Sequence, residues 1–182
     1  MNPSYGPVFV PAVALIGALV HIGLARHRTP ERNLTIALLW GLVVAVGVGE
    51  IVTAGSHLLF GPATAAQIGF PAGNPFQNEV GVANLAFGVL GITCYWVRGG
   101  FWTATVLGYL VYFWGCGIDH VYQYVAHGNT APYNWGPIVP VVFGVPLVLA
   151  ILLVALHRVQ RRSGPPAGAP TERGVASTPA GP

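Results

Sequence analysis

All eight cationic side chains of this 182-residue chain are arginines, and they lie on one side of a pattern of five apolar stretches. Three follow the first stretch, one follows the third and four follow the fifth: Arg26, Arg28, Arg32, Arg98, Arg158, Arg161, Arg162 and Arg173. The segments after the second and fourth stretches contain neither Lys nor Arg. Because short cytoplasmic loops are enriched in positive charge, this partition predicts a polytopic membrane protein with its amino terminus outside and its carboxyl terminus in the cytoplasm.

The apolar stretches predict helices rather than strands. They cover residues 7–25, 34–60, 76–97, 101–126 and 137–157, and each is near or above the ~20 residues that cross a hydrocarbon core. None alternates with the period of two that a barrel strand requires. The predicted fold class is therefore all-α, with five transmembrane helices in one domain over residues 1–162. Residues 163–182, rich in Gly, Pro, Ala, Ser and Thr, are predicted to form a disordered cytoplasmic tail.

The composition narrows the class of partners. The chain is 53% hydrophobic and 7% charged, against about 25% charged residues in soluble domains. The arginines flank membrane segments, so the net charge of +3 indicates contact with the lipid bilayer and not with nucleic acid. The two cysteines are interpreted as buried small side chains and not as a disulfide.

Polar residues inside the predicted helices share one depth. At ~1.5 Å per residue, Glu50 and Asp119 lie about 24 and 26 Å from the starts of their helices, in the outer half of the bilayer. His57 follows two turns after Glu50 on the same face, and Gln123 follows one turn after Asp119. We therefore expect an outward-facing polar pocket formed by Glu50, His57, Glu79, Asn84, Asp119, His120 and Gln123.

No Lys or Arg lies at the depth of these acids. A carboxylate at the bilayer centre costs about 2.5–3.5 kcal/mol, so we expect each acid to hold a proton, a histidine or a bound cation. At least one of Glu50 and Asp119 is expected to titrate well above the ~3.9–4.3 range of ordinary carboxyl groups. Gln77 and Asn84 are expected to orient the acids and the imidazoles. Glu79 also suits a second interpretation, as an interfacial acid in the first turn of its helix.

Three functions fit such a pocket. The first is the binding or movement of a cation, a proton or a small polar solute. The second is a membrane-embedded metal-dependent or redox enzyme that uses His57, His120 and the acids, with a divalent metal as the cofactor. The candidate metal ligands are Glu50, Glu79, Asp119 and His120. The third is a non-catalytic helper subunit of a membrane complex. The sequence names no substrate.

Glycines inside the predicted helices indicate close helix packing, because small residues let transmembrane backbones approach each other. The predicted contact faces are Gly88 with Gly91, and Gly108 with Gly115 and Gly117. Such faces could pack within the chain, against a second copy in a homo-oligomer, or against a membrane partner.

Two stretches near the predicted outer face carry a family resemblance. One is GFPAGNPFQNEVGVANL at residues 69–85, and the other runs from Asp119-His120 through GNTAPYNWG at residues 128–136. Together they resemble a family of small, functionally uncharacterised multi-pass bacterial membrane proteins. The resemblance covers residues 45–150. It implies a location in the bacterial inner membrane and implies no activity.

Overall fold

The computed structural model describes residues 6–163, which form helices and connecting turns without a β-strand. The helices are Gly6–Leu24 (α1), Pro30–Leu59 (α2), Gly61–Ile68 (α3), Phe76–Thr93 (α4), Gly100–His127 (α5) and Ile138–Ser163 (α6). The prediction of an all-α fold is therefore confirmed. The predicted tail lies outside the described residues, except for Ser163 at the end of α6.

Four helices, α1, α2, α5 and α6, are long and apolar enough to cross a membrane. Helix α4, at the third predicted span, has 18 residues and is less apolar because its first turns carry Gln77, Asn78, Glu79 and Asn84. The short helix α3 was not predicted. It occupies the Gly- and Pro-rich segment after α2 and ends at Gly69, whose left-handed backbone suits glycine.

Helix α2 changes its hydrogen-bonding pattern halfway along. Pro30–Trp40 and Gly49–Leu59 are α-helical, whereas Gly41–Val48 is π-helical. The π segment combines two glycines with four valines, residues that favour the α-helix weakly. Such segments are rare in proteins, and those that occur often lie at functional sites. The α-helix resumes one residue before Glu50.

Helices α2 and α4 pack against each other in antiparallel orientation along the second half of α2. A Cβ atom on Gly88 would lie 2.7 Å from Cγ1 of Ile51, and one on Gly91 would lie 2.5 Å from the backbone nitrogen of Gly47. The two backbones therefore meet without room for a side chain. The prediction that Gly88 and Gly91 form a contact face is confirmed, with α2 as the partner.

The second predicted glycine face is confirmed only in part. Gly117 of α5 faces the ring of Phe143 on α6, since a Cβ atom on Gly117 would lie 2.7 Å from Cζ of Phe143. Gly108 would make only an ordinary contact with Phe87, and the Cβ direction of Gly115 has no atom within 4 Å. Helix α5 therefore packs on α6 at Gly117, whereas no other described residue packs against α5 at Gly115.

The apolar core lies at the arginine-rich end of the bundle. Its buried residues come from α2, α5, α6 and the end of α4: Leu38, Leu42, Val46, Cys94, Trp102, Val106, Tyr109, Leu149, Leu153 and Leu156. The Trp102 indole N–H donates to the carbonyl oxygen of Cys94 at 2.8 Å and fixes the turn between α4 and α5. Toward the opposite end, α4 contacts α5 through Phe87, whose ring packs on Tyr109, Tyr112 and Phe113, and the interior next to this aromatic cluster is left unfilled.

Candidate functional site

A cavity of about 840 Å³ occupies the half of the bundle opposite the arginine-rich end. All six helices contribute residues to its wall. The volume falls within the ~300–1,000 Å³ range of small-molecule sites, which combine apolar walls with a few polar groups. The polar and ionisable lining residues are Glu50, Thr53, Ser56, His57, Thr64, Gln67, Gln77, Asn84, Tyr109, Tyr112, Cys116, Asp119, His120 and Tyr133.

Glu50 is the buried acid of this cavity, with 5% of its surface exposed. The Tyr109 hydroxyl donates a hydrogen bond to its Oε1 atom at 3.0 Å. The second carboxyl oxygen, Oε2, is buried and has no hydrogen-bond partner. Among the described residues that line the cavity, none is Lys or Arg. Glu50 therefore lines the cavity with one carboxyl oxygen that has no hydrogen-bond partner within the described residues.

One face of α5 supplies the wall opposite α2. Tyr109, Tyr112, Cys116 and Asp119 follow one another at steps of three or four residues and all line the cavity, as residues on a single helix face do. The Tyr112 hydroxyl is buried without a hydrogen-bond partner. Tyr109 and Tyr112 were not among the predicted pocket residues, although their spacing from Asp119 places them on the same helix face.

His57 is held by a side-chain amide. Its Nδ1 atom lies 2.7 Å from Oε1 of Gln77, and both residues are buried. An amide oxygen can only accept, so Nδ1 donates in this pair and Nε2 is the remaining ring nitrogen. Gln77 thus orients the imidazole, which is the kind of supporting contact the sequence suggested for it.

His120 is held in the same manner by Asn134, a fully buried residue. The Asn134 amide nitrogen donates to the carbonyl oxygens of His120 and Asn129 at 3.3 and 2.9 Å. Its Oδ1 atom therefore accepts from Nδ1 of His120 at 3.1 Å. Asn134 joins α5 to the loop that follows it. Asn134 lies between two predicted helices, in the GNTAPYNWG stretch, and was not among the predicted pocket residues.

Replacing Asn134 by Ala should destabilise the fold strongly. The change removes three part-buried hydrogen bonds, and a typical one contributes ~0.5–1.5 kcal/mol, so we expect a total loss of roughly 2–4 kcal/mol. Thermal unfolding of the purified protein in detergent would measure it. Asn78→Ala, at an exposed position of α4, is the matched control and should change little. Equal melting temperatures for the two variants would contradict the assigned role of Asn134.

The structure brings five of the seven predicted pocket residues into the cavity wall: Glu50, His57, Asn84, Asp119 and His120. Glu79 does not line the cavity and is exposed, because the face of α4 that meets the cavity carries Gln77 instead. Gln123 also lies outside the lining, beyond the level of His120. Its carbonyl oxygen accepts from the Asn129 backbone N–H at 3.1 Å, where α5 ends.

The predicted metal ligands are not assembled at one point. Over residues 6–163, no group of three His, Cys, Asp or Glu side chains is placed to hold a metal ion. Glu79 lies outside the cavity lining, and Asp119 is exposed whereas Glu50 is buried. Cys94 and Cys116 are free, as predicted. The structure therefore gives no support to a metal centre formed by Glu50, Glu79, Asp119 and His120.

Comparison with known proteins gives one match. A family model described as a family of unknown function, DUF6790, matches residues 4–162. This confirms the resemblance to an uncharacterised family and extends it beyond residues 45–150. No curated protein and no solved structure matches the chain.

Proposed function

The chain belongs to the DUF6790 family of unknown function, and from its cavity we propose that it is a membrane protein that binds and moves a small solute. The solute enters a carboxylate- and histidine-lined pocket that opens to the outer face of a bacterial inner membrane. The observation that supports this most is the Glu50 carboxyl group, buried in the wall of the cavity with one oxygen unpartnered. An unpaired buried polar atom is costly, and an occupant of the cavity would remove that cost.

The proposal includes five membrane crossings, with α4 as the fifth. Helix α4 lies beside α2, which is long and apolar enough to cross a membrane, and Gly88 and Gly91 meet Ile51 and Gly47 of that helix. The two helices therefore share a depth. Polar residues on α4 are tolerated because Gln77 and Asn84 face the cavity and not lipid. With five crossings, all arginines of residues 6–163 lie on the cytoplasmic side and the cavity lies on the outer side.

Reporter fusions test this topology. We expect a fusion at Gly99 to be active only with a cytoplasmic reporter, and fusions at Gly73 and Gly128 to be active only with a reporter that requires export. Gly99 is the decisive position, because the loop that contains it would lie outside if α4 did not cross the membrane. Export of the Gly99 fusion, or cytoplasmic behaviour at Gly73, would contradict the five-helix topology.

Solute binding is tested with a variant that fills the cavity. Gly115 lines the cavity, and its Cβ direction has no atom within 4 Å, so Gly115→Phe should place a ring in the open space without disturbing the backbone. Gly55 is the matched control, since it has equally free space but does not line the cavity. The probes are 2-(1-naphthyl)ethylammonium, 2-(1-naphthyl)ethanol and 1-naphthylacetate, which are similar in size and differ in charge.

We expect at least one probe to bind the purified protein at one site per chain, as measured by calorimetric titration in detergent. Gly115→Phe should weaken this binding at least tenfold, whereas Gly55→Phe should leave it within about twofold. Failure of all three probes to bind, or binding that Gly115→Phe leaves unchanged, would contradict the proposed function.

A further inference from the structure

We infer that the solute bound beside Glu50 is an organic monocation, an amine or quaternary ammonium carried on an apolar body. This inference rests on the proposed function and specifies its ligand class. It follows from the charge of the cavity, from the environment of Glu50 and from the composition of the walls.

The charges that line the cavity have one sign. Glu50 and Asp119 are both in the lining, and none of the described lining residues is Lys or Arg. Asp119 is exposed while Glu50 is buried, so one acid is accessible to solvent and the other lies in the interior. An anion would meet two acids and no Lys or Arg, with the imidazoles of His57 and His120 as the basic groups of the lining. A neutral solute would leave Glu50 without a counter-charge. A cation satisfies both acids.

An inorganic cation does not fit the surroundings of Glu50. Hard metal ions such as Ca²⁺ take six to eight oxygen ligands and Mg²⁺ about six. Glu50 supplies at most two carboxyl oxygens, and one of them already accepts a hydrogen bond from the Tyr109 hydroxyl. No set of three candidate metal-binding side chains exists in the described part of the chain. An organic ammonium needs no such set of oxygen ligands, because a quaternary group requires no hydrogen-bond acceptor and a primary group donates through its N–H bonds.

The walls suit an apolar body that carries one positive charge. Aromatic rings from two helices and three connecting segments surround the space: Phe60, Phe70, Phe76, Tyr112, Phe113 and Tyr133. Aromatic faces attract ammonium groups, and this attraction grows when water is excluded. The unpartnered Tyr112 hydroxyl lies on the same face of α5 as Tyr109, so the wall opposite Glu50 carries a second polar group without a partner. The remaining lining is mainly Val, Ile, Ala and Pro, which would cover the rest of the solute.

The same three naphthyl probes test the inference, because they separate charge from size. The wild-type protein should bind 2-(1-naphthyl)ethylammonium at least tenfold more tightly than 2-(1-naphthyl)ethanol, and should bind 1-naphthylacetate most weakly. In Glu50→Gln the preference for the ammonium over the alcohol should fall to within about threefold. Glu79→Gln removes an exposed acid outside the lining and should keep the wild-type preference.

Three outcomes would overturn the inference, and they are distinguishable. If the alcohol or the carboxylate binds as tightly as the ammonium and Gly115→Phe abolishes that binding, the cavity is a solute site but not one for cations. If the preference persists in Glu50→Gln, the charge that selects the cation lies elsewhere. If no probe binds, the proposed function fails together with the inference.

Discussion

Replacing Gly91 by Val should separate α2 from α4 and prevent stable folding. A Cβ atom at this position would lie 2.5 Å from the backbone nitrogen and 2.7 Å from the Cα atom of Gly47. No side-chain rotation can relieve a contact with backbone, so the helices themselves must move apart. Overpacking of a tight interface costs about 1–3 kcal/mol and sometimes more, and we place this change at or above about 3 kcal/mol.

The effect would be measured as the melting temperature of the purified protein in detergent, or as loss of folded protein on size-exclusion chromatography. Gly55→Val carries the same change in helix propensity at a position with no atom within 4 Å of the added Cβ, so it isolates the packing effect. Gly91→Ala should lie between wild type and Gly91→Val. Gly91→Val as stable as Gly55→Val would mean that the two helices are not in direct backbone contact.

Changing Glu50 to Gln should remove cation binding and leave the fold intact. The amide has nearly the shape of the carboxyl group and its oxygen can still accept the hydrogen bond from Tyr109, so we expect no decrease in melting temperature. The charge that would meet the ammonium is lost, and we expect at least tenfold weaker binding, equivalent to about 1.4 kcal/mol or more. Glu79→Gln, which changes charge equally but outside the cavity, should bind like wild type.

Calorimetric titration with 2-(1-naphthyl)ethylammonium, run beside thermal unfolding on the same preparations, measures both parts of this prediction. If a stable Glu50→Gln protein still bound the ammonium probe as tightly as the wild type, Glu50 would not be part of the binding site. If Glu50→Gln lost binding only because it unfolds, its melting temperature would be lower than that of the wild type. That result would contradict the expectation that the substitution leaves stability unchanged.

The fold could be predicted from the sequence because long apolar stretches leave few alternatives. Segments of about 20 apolar residues must satisfy their backbone groups internally, so they become helices. The depths of Glu50 and Asp119 followed from counting residues along those helices, and both acids do line one cavity. Gly88 and Gly91 could be identified because small residues at near-helical spacing indicate a contact face.

The missed features depend on rotation about a helix axis or on partners distant in the sequence. Glu79 and Gln77 are two residues apart and lie on different faces of α4, so only the packing of α4 on α2 decides which one meets the cavity. The π-helical segment Gly41–Val48 has no distinct sequence pattern. Tyr109 and Asn134 each act through one tertiary contact, to Glu50 and His120, which a single sequence does not reveal.

The chain contains two cysteines, and their positions allow the central claim to be tested in a membrane. Cys116 lines the cavity, whereas Cys94 is buried at the other end in the apolar core. In Cys94→Ser the Cys116 thiol is the only one present. A methanethiosulfonate reagent transfers its thioalkyl group to this thiol and releases a sulfinate, and the reagent can carry either a trimethylammonium or a sulfonate group.

The decisive measurement is the ratio of the Cys116 reaction rates for the cationic and the anionic reagent, each added from the outside to intact cells. It is divided by the same ratio for a reference thiol, which is introduced by Ala72→Cys in a protein that also carries Cys94→Ser and Cys116→Ser. Residue 72 is exposed and lies on the outer side in the proposed topology. We predict a normalised ratio of at least ten in favour of the cationic reagent, and a slower reaction in the presence of 2-(1-naphthyl)ethylammonium. No reaction from the outside, or a normalised ratio of one or less, would contradict an outward-facing, cation-selective cavity.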